Sequence, residues 1–411
     1  MAIQNIIYPP TIDFDWLVQR PQQLMQAFAS LGVKVFYMNP GLHTSRKRGI
    51  NRISNNLTVL NSVDPRGLIN GRPVFYFSSP NHVDLIPRYN PSLVVFDCLD
   101  EPSEEFENLA PYLRRALTAA DLVIASSQKL YNDCISINSN TILIPNGCDF
   151  NHFAQAQNRT LPVPAELSSM QSPIIGYHGA IASWLNFNLI TRLADSFPHG
   201  NVLMLGPMYN VTSVPRRSNL HWLGFKEFNT LPNYTQMFDA GIIPFRISSM
   251  TEAVNPIKMW EYMAAGIPVV TSALPEARAV EGVYFSHNDD EFIANVRQAI
   301  NENNWHLKSA RIAQARENTW LARAQKILGA MEKTLSKVPG INQASRSRVV
   351  INQFILPEVT SVRRRRRIVF DMSQGLHSIL TRRNGASRFY RPAPVANTIT
   401  ITVKKPLVIA V

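Results

Sequence analysis

The apolar residues of this chain fall in short unbroken runs instead of alternating with polar ones, and that narrows the folds open to it. Asn5–Tyr8, Val33–Met38, Val74–Phe77, Leu93–Phe96, Leu122–Ala125 and Thr141–Ile144 each read as a strand buried on both faces. Amphipathic stretches separate them, including Pro21–Leu31 and Glu104–Ala120. Pro21 suits a first helical turn, where its missing N–H would have had no partner, and Gly32 suits the left-handed residue that ends a helix. Strands of this kind alternating with helices predict a parallel sheet covered on both sides.

The pattern pauses after Asn146-Gly147. Residues 154–172 are polar and hold two prolines, as a linker would. It then resumes with Ile174–Tyr177, a helix Asn186–Ser196, Val202–Leu205, Leu220–Leu223, Ala240–Pro244, a helix Pro256–Ala265, Val269–Thr271 and Gly282–Phe285. A charged amphipathic stretch from about Asp289 to Lys333 follows. At 411 residues the chain exceeds the size at which one core keeps growing, which agrees with two halves. The expected fold is α/β, with two facing doubly wound, Rossmann-like domains at 1–153 and 173–337, a linker at 154–172, and a basic C-terminal extension at 338–411. The last helix of the second domain is expected to pack back on the first. Ligands of such sheets sit outside the carboxyl ends of the strands, so the cleft between the halves is the expected site.

Charge is unevenly placed. Residues 338–411 carry 13 Lys+Arg against 2 Asp+Glu, whereas 1–337 carry 28 against 27. The body is near neutral at +1, and +11 of the net charge of +12 belongs to the extension, which contains the run Arg363–Arg367. Three readings of 338–411 stand side by side: a peripheral contact of 346–391 with anionic membrane, a nucleic-acid contact, which is disfavoured, and a solvated, partly disordered appendage. Cys98, Cys134 and Cys148 make no C-x-x-C pair and are odd in number, which favours reduced thiols and a cytoplasmic protein. The start MAIQNIIYPP has no basic-then-apolar leader pattern. No apolar run reaches the roughly 18 residues of a spanning helix.

The most informative segment is Asn255-Pro-Ile-Lys-Met-Trp-Glu-Tyr-Met-Ala-Ala-Gly-Ile-Pro-Val-Val-Thr271. Asn255 is a good N-cap, Pro256 suits the first helical position, and Gly266 suits the residue after the helix. Lys258 and Glu261 then share one face near the helix start. A helix N-terminus with an added lysine makes a phosphate site, and a carboxylate one turn further in can accept two vicinal hydroxyls, as on a ribose. An ordinary surface Lys–Glu pair fits the same spacing.

This segment resembles the donor-site signature of GT-B glycosyltransferases, in particular the broad family 4 group. Ile144-Pro-Asn-Gly-Cys-Asp149 is similar to the junction between the two domains of that family, and Phe238–Arg246 to the strand that precedes its donor helix. Asp15-Trp-Leu-Val-Gln-Arg-Pro-Gln-Gln-Leu24, with Phe96-Asp-Cys-Leu-Asp-Glu101, resembles the subgroup that includes teichuronic acid biosynthesis glycosyltransferases. The resemblance spans roughly residues 5–335. It implies the GT-B architecture, with 1–153 on the acceptor side and 173–337 holding a nucleotide-sugar donor.

Glu261 matches the second of the two glutamates of the family's donor motif, the one that holds the ribose. The first would stand at 253, where this chain has Ala253. Glu252 is one residue out of register and is a candidate substitute, while Asn255, Pro256 and Lys258 match an N-P-x-K pattern of the subgroup. Arg246 and Lys258 are the candidate cations for the leaving diphosphate, since paired positive charge stabilises it as the anomeric bond breaks. Gly179 and His178, at the end of the first strand of the second half, are candidate donor contacts, and a structural histidine fits equally well. Asp97 and Asp100 follow the strand Leu93–Phe96 and are candidates to orient the acceptor hydroxyl or take its proton, with turn chemistry as the plain alternative. Arg20 and Trp16 are acceptor-side candidates, as an anion dock and a sugar-stacking ring. His43 and His82 have no supporting spacing.

No acidic cluster points to a metal, and no cofactor is expected, because the nucleotide sugar is a substrate. Phosphate-loop, H-E-x-x-H and G-x-S-x-G motifs are missing, and Pro9-Pro10-Thr11 stands where a dinucleotide fingerprint would follow the first strand. The expectation is a hexosyltransferase-class enzyme that moves a sugar, UDP-linked and with retention, to an envelope or exopolysaccharide acceptor or a lipid-linked precursor. A non-catalytic nucleotide-sugar-binding protein and an epimerase on the same fold are the alternatives.

Overall fold

The apolar runs assemble into two separate sheets. The computed structural model describes residues 3–42 and 48–337, so His43, the Arg363–Arg367 run and the whole extension 338–411 lie outside the described residues. The first sheet has eight strands: β1 (Asn5–Tyr8), β2 (Lys34–Asn39), β3 (Gly49–Arg52), β4 (Leu57–Asn61), β5 (Val74–Phe77), β6 (Leu93–Cys98), β7 (Leu122–Ala125) and β8 (Thr141–Leu143), in the order β3-β4-β2-β1-β5-β6-β7-β8. All pairs are parallel except β3–β4. The second sheet is parallel throughout, with β9 (Ile174–His178), β10 (Asn201–Leu205), β11 (Leu220–Gly224), β12 (Ala240–Ile243), β13 (Val269–Thr271) and β14 (Val283–Phe285) in the order β11-β10-β9-β12-β13-β14.

Among the described residues, eight helices of eight residues or more accompany them: α1 (Arg20–Ser30), α2 (Ala110–Ala119), α3 (Gln128–Ile135), α4 (Phe187–Ser196), α5 (Ile257–Ala264), α6 (Asp289–Ile300), α7 (Trp305–Glu317) and α8 (Trp320–Lys337). The buried faces of the strands explain the unbroken runs. Every residue of β1, β5, β6, β7, β9 and β12 is buried.

Differences from the sequence reading have local causes. β3 and β4 were not expected; β3 is an exposed, largely polar edge strand (GINR), so it carries no apolar signal. The stretch Glu104–Ala120 is a 3-10 turn through Leu109 followed by α2, with Pro111 at the start of the α-helix. Asp289–Lys333 is three helices, capped anew by Asn288 and Asn304. Residues 154–172 are more than a loose linker: Leu167 is fully buried in the core of the second half, and Leu161 exchanges hydrogen bonds with the Gln236 side chain.

The chain passes between the halves twice. Cys148 and residues 318–320 bridge these two passages, with Cys148 N–H donating to Asn318 O and Trp320 N–H to Cys148 O. Beyond this point α8 lies along α1, and its Trp320, Ala324, Ile327 and Met331 join the cluster formed by Leu24, Phe28, Val95 and Ile124. The closing helix of the second half thus completes the core of the first. Ile327→Ala would remove a fully buried side chain from that shared core and is expected to lower stability by about 2–5 kcal/mol. Denaturant unfolding followed by circular dichroism measures this.

Candidate active site

The site is built where the strands of the second sheet end. Gly179 directly follows β9 and Gly206 directly follows β10, with φ of 139° and 150°. A Cβ on Gly206 would lie 1.8 Å from Gly179 O, and a Cβ on Gly179 would lie 2.1 Å from Lys258 Cε. Two strand ends and a lysine stem therefore share a space that admits no side chain at either position. The Gly179 N–H donates to Leu205 O and the Gly206 N–H to Gly224 O, so the glycines provide close approach and their own N–H groups are spent within the sheet.

Lys258 lies in the first turn of α5, its Nζ 5.5 Å from the Tyr177 ring centroid and 5.7 Å from that of Phe245. Glu261, one turn on, is 6% exposed, and its Oε2 is 3.7 Å from His178 Nδ1. Burial pushes the Glu261 carboxyl up, and the neighbouring Lys258 opposes that rise. Burial also pulls Lys258 down, to about 8, with Glu261 opposing. His178 is stacked on Phe153 at 5.7 Å, and burial together with the Lys258 charge lowers it to about 3, so it is neutral at physiological pH. Its Nε2 is buried without a partner in the protein.

These groups line a half-open cleft. His178, Gly179, Gly206, Lys258 and Glu261 form the side belonging to the second half, with Phe225, Lys226 and Phe228 beyond β11. Asp15, Leu17, Val18 and Gln19 face them from the first half. Leu17 has φ 44°, a left-handed backbone on a branched residue, and such strain collects at functional loops.

The structure thus brings together Lys258, Glu261, His178 and Gly179 from the sequence candidates and places the others elsewhere. Asp97 and Arg20 are 1% exposed and bound to each other through Nε–Oδ2 at 2.9 Å and Nη2–Oδ1 at 2.8 Å; the Tyr76 hydroxyl also donates to Asp97 Oδ2. A carboxylate and a guanidinium that satisfy each other inside the first half are not available to an acceptor. Asp100 is half-buried and does not line the cavity. The Trp16 ring stacks at 4.4 Å on Phe225 of the opposite half, so one of its faces is occupied. Arg246 is exposed outside the cavity, donating from Nε to Ser183 O with Nη2 3.8 Å from Glu104.

The donor-motif candidates shift as well. Glu252 is exposed on the short turn Ser249–Glu252 and does not replace the missing glutamate in the cavity. Ala253 is buried in an apolar cluster with Ile7, Phe77 and Cys98, where a carboxylate would be desolvated. Asn255 is no N-cap: the helix begins at Ile257 with Pro256 as its cap, and the Asn255 side chain points to Asn146 and Glu276. Gly206, Phe225 and Lys226, and Asp15 and Gln19 of the segment Asp15–Leu24, were not among the site candidates read from the sequence. Gly206 had a signal, since it ends a strand just as Gly179 does, whereas the others are gathered only by the facing of the halves. Among the described residues no three His, Cys, Asp or Glu side chains meet as a metal site.

Two facing Rossmann-like halves with this cleft are the GT-B glycosyltransferase architecture. The fold is similar to sucrose-phosphate synthase from Thermosynechococcus elongatus, with a TM-score of 0.63 at 15% identity over 82% of this chain and 100% of that one. It is also similar to HepE from Anabaena, solved with UDP and glucose, with a TM-score of 0.58 at 15% identity over 82% and 100%. Residues 189–302 match the family described as Glycosyl transferases group 1. The chain is 25% identical over 271 residues, 60% of its length and 68% of the other, to a Bacillus subtilis (strain 168) protein described as a teichuronic acid biosynthesis glycosyltransferase, TuaH. The protein is a glycosyltransferase that carries a group 1 domain on a GT-B fold.

Asp97→Ala would leave the Arg20 charge buried and unpaired, and is expected to lower stability by about 3–5 kcal/mol. Chemical denaturation tests the structural role: an acceptor base would instead lose turnover while stability held.

Proposed function

We propose that the protein transfers a sugar from a UDP-linked donor to an envelope or exopolysaccharide acceptor, or to a lipid-linked precursor, with retention at the anomeric carbon. The observation that carries this reading is the buried pair Lys258 and Glu261 on the first turns of α5, set over the glycine-ended strands β9 and β10. The first-turn N–H groups of a helix have no intrahelical partners and carry partial positive charge, and Lys258 adds a full one beside them. In this reading they hold the diphosphate and offset its charge as it leaves, so no bound metal is called for. Glu261 accepts the ribose hydroxyls, and the Phe225–Phe228 segment lies where the base would rest. The departing diphosphate takes the acceptor proton, which agrees with Asp97 being engaged elsewhere. TuaH, the relative described as acting in teichuronic acid synthesis, and HepE, solved with UDP, support the donor and acceptor classes.

We place the enzyme in the cytoplasm, with 346–391 as a peripheral membrane contact. No helix among the described residues is long and apolar enough to cross a membrane. A second reading, a non-catalytic nucleotide-sugar binder, draws on Ala253 at the position of the first glutamate. Incubation with a panel of UDP-sugars and mass spectrometry of released UDP separates the two, because the binder releases none.

Lys258→Ala and Glu261→Ala are expected to abolish transfer while the fold persists; near-normal turnover by both would overturn the site. UDP affinity should also depend on pH with a definite sign. A diphosphate favours protonated Lys258, so binding raises a pKa that burial has lowered to about 8. Affinity should fall as pH climbs through that value, with net proton uptake on binding near pH 8. Calorimetry in buffers of different ionisation enthalpy should show this uptake by the coupled Lys258–Glu261 pair.

A further inference from the structure

We propose that Asn255, Asn146 and Glu276 are positioning residues that set the height of the donor helix α5 against the amino-terminal half. This rests on the reading of Lys258 and Glu261 as the donor site, and gives that site a means of alignment with the acceptor side. Asn146, at the passage between the halves, uses its whole amide: its backbone N–H donates to Asn255 Oδ1 at 3.1 Å and its Nδ2 to Asn255 O at 2.6 Å, while its Oδ1 accepts from Arg20 Nη1 at 3.1 Å. Asn255 lies two residues before α5 and is 4% exposed. Its Nδ2 donates to Glu276 Oε2 at 2.8 Å, and the other oxygen of that carboxylate accepts the Gln128 N–H at 2.8 Å. Gln128 opens α3 of the first half, so Glu276 rests on a helix N-terminus, where a carboxylate is favoured.

The first half therefore grips the start of α5 at two points, through Asn146 and through Glu276. Behind Asn146 stands Arg20, held by Asp97, with Arg323 donating to Asn146 O at 3.2 Å. None of Asn146, Asn255 and Glu276 lines the cavity. Their contacts fix where α5 begins, and Lys258 and Glu261 follow three and six residues later. Nucleotide contacts come mainly from the second half, whereas transfer requires both halves in register. Loosening this link should therefore cost turnover and spare nucleotide binding.

The test is a swap of the Asn255–Glu276 pair. In N255D two carboxylates meet where an amide met a carboxylate. In N255D/E276Q the introduced carboxylate keeps the Asn146 N–H and takes the amide of the introduced glutamine, whose oxygen keeps the Gln128 N–H. N255D should lower turnover of the UDP-sugar active in the panel roughly 10- to 100-fold, with UDP affinity by calorimetry held within about twofold. The double variant should recover to within about fivefold of the parent. Unchanged turnover in N255D, or UDP affinity falling in step with turnover, would overturn the proposal. If N255D does not fold, E276Q alone carries the same comparison, since it sets two donors face to face at one of the two contacts. If the parent protein binds no UDP, the donor reading fails, and this proposal is then decided by hydrogen exchange. The amides of residues 257–261 should exchange roughly tenfold faster in N255D and recover in the double variant, and equal rates would overturn it.

Discussion

A buried arginine organises the junction on which this structure depends. Arg20 is 1% exposed, and each of its three guanidinium nitrogens is engaged: Nε and Nη2 donate to Asp97, and Nη1 donates to Ile144 O and Asn146 Oδ1. Desolvating a guanidinium and a carboxylate is expensive, and only close to full hydrogen bonding repays it. Here that bonding joins the start of α1, the end of β6 and the passage from the first half to the second. A lysine could hold Asp97 but lacks the planar fork to reach Asn146 as well. The position of the second half thus follows from a charge pair inside the first.

The active cleft works by the same economy of space. Gly179 and Gly206 give up side chains so that two strand ends and the Lys258 stem can meet, and a methyl at either position would collide. The tight fit also desolvates Lys258 and Glu261, which draws their ionisation towards the neutral range. His178, neutral and stacked on Phe153, fills the floor beneath them. The first half faces them with a strained loop at Leu17, pinned across the cleft by the Trp16–Phe225 stack.

What could be read from the sequence was what is local. The strands show because burial on both faces leaves unbroken apolar runs, and the helix α5 shows because Lys258, Glu261 and Gly266 lie within one short segment. Gly179 and His178 were legible as the end of a strand. Partners far apart in the chain were not: Arg20 meets Asp97 across 77 residues and Asn146 meets Asn255 across 109. Asp97 at the end of a strand looks like a cleft carboxylate until its partner is known, and Asn255 looks like a helix cap until Glu276 is.

The sequence by itself determined two doubly wound sheets, a phosphate-favouring helix start with Lys258 and Glu261, and a near-neutral body before a basic extension, because each follows from periodicity, spacing or charge along the chain. Only the tertiary structure decided which polar residues face the cleft and which are framework. That choice depends on desolvation and on which donors and acceptors are already satisfied, and both are set by contacts between distant segments. Arg20, Asp97 and Asn255 became framework by those contacts, and Lys258 and Glu261 remained facing the cleft.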